Sequence, residues 1–189
     1  MKQENFYDYS YIPLSDDHFP LLLKWLSSPH VKLWWDTNIN WTMEKVHKKY
    51  LPYTLGHTIF NGRKLPIQAF IIKIANAPVG YIQIYRAHDF ICSSILDGLP
   101  QSLAVLDFYS GDEHVLGKGY GASILKCFIQ SYGSCYTHIL ADPDIDNQKA
   151  IRTFKNAGFT VEKIDEINHV FWMIKKIGQK IDNNKTLNE

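Results

Sequence analysis

Apolar residues recur along this chain in two periods, and together they predict a mixed architecture. Short alternating or continuous apolar runs mark strands. The aromatic-rich stretch 6–14 is the first, and 66–74 and 79–85 are two more, joined by Asn76-Ala77-Pro78 into a predicted hairpin. Further strands are expected at 103–109, 137–141, 160–164 and 170–174. Helical spacing appears elsewhere. Phe19, Leu22, Leu23 and Leu26 follow Asp16 or Asp17 as a cap, with Pro20 tolerated in the first turn. Ser28-Pro29 ends that helix, and a short piece follows through Trp34-Trp35. Thr42 opens a second helix, with Val46, Tyr50 and Tyr53 on one face until Gly56. A third runs from Ala122 to about Tyr132. A fourth carries Ala150, Ile151, Phe154 and Ala157, with Asp146 suited to its N-cap and Gly158 to its end. Residues 87–101 read as a long irregular stretch, and there is no internal repeat or linker. Strands interspersed with helices in this way predict an α+β fold, an α/β sandwich with helices on both faces of the sheet.

A length of 189 residues suits one domain with a sizeable core, expected over 1–177, followed by a polar, frayed tail over 178–189. The net charge of +1 gives no electrostatic case for nucleic acid. No apolar run approaches the roughly 18 residues of a membrane-spanning helix, and the first nine residues lack the apolar core of a signal peptide. Cys92, Cys127 and Cys135 are odd in number and unremarkably spaced, so the chain reads as cytoplasmic and free of disulfides. Cys135-x-x-His138 has no second ligand pair near it, so it reads as a packed thiol and a surface imidazole, and no metal is expected.

The run Leu116-Gly117-Lys118-Gly119-Tyr120-Gly121-Ala122 stands directly before the third helix. Glycines at alternate positions let the backbone turn tightly with its N–H groups on one side. At a helix start those donors and the helix dipole form a seat for phosphate. Such a turn alone can equally do nothing beyond turning the chain. Its partner is downstream, in Asn147-Gln148-Lys149-Ala150-Ile151 through Gly158-Phe159.

Together these two runs resemble the GCN5-related N-acetyltransferase superfamily. The glycine run matches its pyrophosphate loop for acetyl-coenzyme A, and the segment from Asn147 its Asn-x-x-Ala-Ile…Gly-Phe motif. The resemblance implies a mixed, mostly antiparallel sheet and places Leu116 to Ala122 and Asn147 at the cofactor. Ser28-Pro29-His30-Val31-Lys32-Leu33-Trp34-Trp35-Asp36, Tyr50-Leu51-Pro52 and Pro78 to Tyr85 narrow it. In order and spacing they are similar to the aminoglycoside 6′-N-acetyltransferases, and a sister group acting on siderophore hydroxylamines shares parts of them. Carried over, Asp107 becomes the catalytic acid of the strand before the glycine loop and Asp142 the substrate acid of the Asp-Pro run. Trp35, Gln83 and Tyr85 then line the substrate cleft. Two departures stand out. Phe154 takes the place of a tyrosine that often protonates the departing thiolate, and 161–169 is too short to match an acidic residue that some relatives use there, with Glu166 a poor substitute.

Charge placement bears on the substrate without any family. No Lys or Arg occurs between Ala87 and Gly117, whereas Asp89, Asp97, Asp107, Asp112 and Glu113 do; Asp142, Asp144 and Asp146 cluster further on. An acidic cleft concentrates a small cationic amine by field focusing, and a solvated acidic loop is the plain alternative. Trp34, Trp35, Trp41 and Tyr85 can stack on sugar rings or ammonium groups, or serve as core. An alkylammonium titrates near ~10.4 in the manner of lysine, so a base must free the amine for attack. Asp107 is the candidate, as base or as electrostatic anchor. The expected activity is acetyl transfer from acetyl-coenzyme A to such an amine, foremost the 6′-amine of an aminoglycoside. Another amine or hydroxylamine, such as a polyamine or siderophore precursor, and a non-catalytic coenzyme A- or peptide-binding relative remain alternatives. The protein is expected to be a monomer or homodimer without nucleic-acid or membrane partners.

Overall fold

A computed structural model of the chain describes residues 8–91 and 95–178; Phe6, Tyr7, Cys92 and the tail from 179 lie outside them. In chain order the strands are β1 (Tyr9–Pro13), β2 (His57–Phe60), β3 (Arg63–Pro66), β4 (Gln68–Ile74), β5 (Ala77–Arg86), β6 (Leu103–Ser110), β7 (His138–Ala141), β8 (Thr160–Asp165) and β9 (Val170–Lys176). The helices are α1 (Phe19–Leu26), α2 (Pro29–Lys32), α3 (Met43–Thr54), α4 (Ala87–Phe90), α5 (Tyr120–Tyr132) and α6 (Gln148–Ala157). Seven strands form one sheet in the order β1-β4-β5-β6-β7-β9-β8, while β2 and β3 pair separately. Every neighbouring pair in the large sheet is antiparallel except β6 with β7.

The period of two sorts each strand between two helical layers. From β4, β5 and β6, Ile72, Ile82, Ile84 and Leu106 bury against α5 and α6, which contribute Ile124, Leu125, Phe128, Ile151 and Phe154. Ile71, Tyr81 and Tyr109 face the other way, into a cluster with Phe19, Leu22, Trp25, Leu26, Val46 and Tyr50 of α1 and α3. Burying Ile151 and Phe154 is worth about 1.5–3 kcal/mol for each side chain, which fixes α6 to the sheet. Asp107 lies between Leu106 and Phe108 and so shares the face of Tyr109, beneath α1–α3.

Local signals differ from the expectations at several boundaries. The first helix is preceded by a 3-10 turn, Asp16–His18, and Ser15 rather than Asp16 or Asp17 stands at its start. The Ser15 amide donates to His18 Nδ1 at 3.0 Å. The β4–β5 turn uses Ala75 and Asn76, both left-handed (φ +47° and +70°), and Pro78 is already in the strand. Two left-handed central residues match the twist of a two-residue hairpin. The same device at Asn61-Gly62 (φ +50° and +72°) closes the β2–β3 hairpin, which the hydrophobic pattern did not predict because its strands are largely exposed. Asn-Gly was the available signal. Residues 87–101 are not wholly irregular, since α4 forms there. Asn147, not Asp146, caps α6, its side chain accepting from the Ala150 amide at 3.1 Å. Cys135 is exposed and His138 half-buried, the reverse of the expected arrangement.

Trp25 of α1 holds the helical layer to the end of β6. Its indole lies where a Cβ on Gly111 would stand, so the ring packs flat on bare backbone. Gly111→Ala should therefore destabilise the fold by about 1–3 kcal/mol through overpacking, read as a lower urea midpoint at unchanged m-value. An unchanged midpoint would mean that the ring shifts at no cost.

Candidate active site

The parallel pairing of β6 with β7 lasts only from Leu103↔His138 to Val105↔Leu140. Beyond it β6 continues beside β5 to Gly80↔Ser110, and the Gly111 amide still donates to Val79. The chain after β7 instead follows β9: Phe171 donates to the Pro143 carbonyl, Ile145 to the His169 carbonyl, and Asp144 bridges Val170. Pro143 has no amide proton to offer β6. Each strand thus leaves with its antiparallel neighbour, and a gap opens between them. Ser102 O accepts from β7-side amides while Gly111 N–H points to β5, so alternation turns the backbone groups of Leu106 and Phe108 into the gap.

A cavity of about 780 Å³ fills this gap and runs across the molecule. At one end it meets the glycine turn and the first residues of α5 and α6. Gly117 (φ +73°) and Gly119 (φ +82°) hold left-handed backbone, with open space where a Cβ would stand. Gly121 has a different role: a Cβ there would come 2.8 Å from Thr153 Cγ2 of α6, so its bareness lets α5 and α6 approach. Lys149 and Arg152 of α6 line this end and make it cationic.

The other end is built on the β5–β6 ladder, where Gln83 pairs with Asp107. The Tyr81 hydroxyl donates to Gln83 Oε1 at 2.7 Å, which orients the carboxamide. Gln83 Nε2 donates to Asp107 Oδ2 at 2.6 Å, and the nearby Tyr85 hydroxyl also favours the charged carboxylate. Burial raises the pKa of Asp107 above the usual carboxylate range, while the Gln83 hydrogen bond, the Tyr85 hydroxyl and the Lys49 ammonium pull it down. Asp142 sits at the end of β7, exposed to the cavity mouth. Its pKa is raised to about 7, chiefly by desolvation and then by the charge of Asp107. Trp35 lines the wall, edge-on to Tyr109 (centroids 4.8 Å apart) and Tyr81 (5.9 Å).

The site residues expected from sequence largely come together. Leu116, Gly117, Gly119, Tyr120, Gly121, Ala122 and Asn147 line one end, and Trp35, Gln83, Asp107 and Asp142 the other. Lys118 is exposed and does not line the cavity; Tyr85 reaches it only through Asp107. The acidic wall is narrower than the charge count implied. Of the acids in both runs, Asp107, Asp142 and Asp144 line the cavity, and Asp89, Asp97, Asp112, Glu113 and Asp146 do not. Sequence reading missed Asp36, Lys49, Lys149 and Arg152, all of which do. Asp36 and Lys49 meet across a loop–helix junction, so no short motif joins them. Lys149 and Arg152 follow Asn147 within α6, on the turns that face the cavity, and that spacing could have found them. Phe154, buried and edge-on to Phe159 at 5.2 Å, presents an aromatic wall.

Two carboxylates that sense each other titrate as a pair. The folded chain holds the proton of Asp142 up to about pH 7, whereas the unfolded chain releases it near the usual carboxylate value. The folded state therefore binds more protons across that window, and this group's contribution to stability is lost as pH rises through it. Carbon NMR of the aspartate carboxyls should give Asp142 a midpoint near 7 that moves down in Asp107→Asn. An ordinary midpoint in the folded wild type would remove the coupling.

The chain is similar to known proteins over most of its length. The acetyltransferase (GNAT) domain family matches residues 15–167. The chain is 24% identical over 149 residues to aminoglycoside N(6′)-acetyltransferase type 1 of Klebsiella pneumoniae, covering 77% of this chain and 71% of that protein. The Serratia marcescens protein of the same name matches equally. Among solved structures, AAC(6′)-Ib in complex with ribostamycin and coenzyme A superposes with a TM-score of 0.77 at 21% identity, over 89% of this chain and 93% of that one. The aminoglycoside N(6′)-acetyltransferase from Legionella pneumophila gives 0.63 at 19% identity, over 88% and 90%. With the family matched over residues 15–167, most of the chain, the protein belongs to the GNAT acetyltransferases and is an acyltransferase.

Proposed function

We propose that this protein transfers an acetyl group from acetyl-coenzyme A to a primary amine of a small cationic molecule, with the 6′-amine of an aminoglycoside as the acceptor. The observation that carries the reading is one continuous cavity, lined by cationic side chains at the glycine turn and by the carboxyl groups of Asp107, Asp142 and Asp144 at the other end. An anionic donor and a cationic acceptor are thereby drawn to opposite ends. The curated relatives of Klebsiella and Serratia are named for 6′-acetylation, which supports the aminoglycoside assignment.

The residues fit acetyl-coenzyme A. Left-handed glycines at the start of α5 bring backbone N–H groups together without side chains, the helix dipole adds positive potential, and Lys149 and Arg152 supply full charges. When bound, the cofactor supplies an activated thioester. The Phe108 amide, turned into the gap, is the donor for a carbonyl oxygen there. At the opposite wall Asp107 holds the acceptor ammonium and takes its proton. Its raised pKa strengthens it as a base, and Gln83, oriented by Tyr81, holds its Oδ2 in place. Phe154 has no proton to give, so the departing thiolate takes one from water, from Tyr120 or from the acetylated ammonium.

Two substitutions separate the halves of the site. Asp107→Asn keeps the size but removes the base, a change typically worth ~10²–10⁴ in rate. Turnover with the best amine should fall at least a hundredfold while calorimetry finds acetyl-coenzyme A affinity retained; a loss below threefold would leave Asp107 structural. Gly119→Val places a β-branched residue at φ +82°, where the left-handed conformation costs roughly 1–2 kcal/mol for a side-chain-bearing residue. Acetyl-coenzyme A should bind at least tenfold more weakly to the folded variant, and unchanged affinity would dismiss the glycine turn as the phosphate seat.

A further inference from the structure

The acceptor end of the cavity contains a cation of its own. Lys49 of α3 donates from Nζ to Asp36 Oδ2 at 2.6 Å, and the two side chains are only 30% and 25% exposed. The ammonium also stands 5.4 Å from the ring centroids of both Trp41 and Tyr50. Carboxylate and aromatic faces thus anchor it on separate sides. Asp36 is held in left-handed backbone (φ +48°), a conformation that a short polar side chain tolerates better than most. Both residues line the cavity with Gln83 and Asp107, and both charges are felt at Asp107. The pair therefore borders the place where the reacting amine is held.

We propose that Lys49 is a specificity-determining residue whose ammonium occupies the Asp36 carboxylate, so that this wall repels a second substrate ammonium and accepts a hydroxyl. The inference rests on the amine-acetylation reading and deepens it. An unpaired Asp36 would add a second anionic subsite beside Asp107, selecting acceptors with two neighbouring ammonium groups. With Lys49 in place that subsite is already filled from within the protein. Charge selection then comes from Asp107 and Asp144, and groups flanking the reacting amine are sorted by polarity rather than by charge.

Kanamycin A and kanamycin B test this, because on the ring that bears the 6′-amine they differ only in a hydroxyl or an amine at C2′. Lys49→Gln removes the charge but can still donate to Asp36, and Lys49→Met serves if the glutamine variant does not fold. The ratio of kcat/KM for kanamycin B over kanamycin A should rise at least tenfold in the neutral variant, carried by KM. Lys49→Arg, which keeps charge and pairing, should stay within twofold of wild type. If Lys49 merely tied α3 to the α2–α3 loop, both acceptors would suffer equally, and an unmoved ratio in a folded variant that still binds acetyl-coenzyme A overturns the proposal. Calorimetry of the two kanamycins provides a readout that does not need turnover. Should the wild type acetylate neither, a tenfold shift in binding preference toward kanamycin B in the neutral variant would uphold the role of Lys49 while sinking the proposed activity; an unchanged preference would sink both.

Discussion

The parting of β6 from β7 is the constraint on which the rest of this structure depends. Three residue pairs of parallel ladder hold the two halves of the sheet together. Beyond Val105 and Leu140 each strand keeps its antiparallel partner and abandons the other. Backbone groups left unpaired in a protein interior are costly unless something satisfies them. Here the exposed edge of β6 faces a cavity large enough for a ligand. The same parting brings the first turns of α5 and α6 to one side of the gap and the β5–β6 carboxylate to the other. A fully paired sheet from the same elements would have an intact core and no site.

Within that frame, chemistry is divided by the two faces of a single strand. Alternation along β6 sends Leu106 and Phe108 toward α5 and α6 and Asp107 and Tyr109 toward α1–α3. Asp107 is consequently set into the aromatic side of the sheet, and the cost of its charge is offset by the Gln83 hydrogen bond and by the nearby Tyr85 hydroxyl and Lys49 ammonium. Tyr81 in turn fixes Gln83. A buried polar chain of this kind holds one orientation because each rearrangement would leave a donor or acceptor unmatched. Asp142 approaches from the strand that departed, and its raised pKa reflects desolvation first and the proximity of Asp107 second.

Electrostatics along the cavity follows from which helix supplies each wall. α6 gives Lys149 and Arg152 to the glycine end, while the ends of β6 and β7 give carboxyl groups to the opposite end. The Lys49–Asp36 ion pair interrupts that acidic wall. It converts what a charge count would describe as a polyanionic cleft into one with discrete, separately addressed carboxylates.

Much of this protein was determined by its sequence alone. The period of apolar residues located most of the strands and helices of the large sheet and its layers, because burial of a half-apolar element leaves little choice of face. The glycine run and the Asn147 segment, picked out by a resembling pattern, both line one end of the cavity; the left-handed glycines are a local requirement that few residues meet. Asp107, Asp142, Gln83 and Trp35 were legible through their place in a resembling pattern. Tertiary structure alone decided the remainder. Asp36 and Lys49 are thirteen positions apart and become partners only when α3 packs beneath the α2 turn. Gly121, indistinguishable in sequence from its two neighbours, serves helix approach because Thr153 stands against it. The protonation of Asp142 is set first by its desolvation in the folded chain and then by a carboxylate thirty-five positions away, and both depend on the tertiary fold. Local conformation depends on neighbours in sequence, whereas charge, burial and proximity depend on neighbours in space.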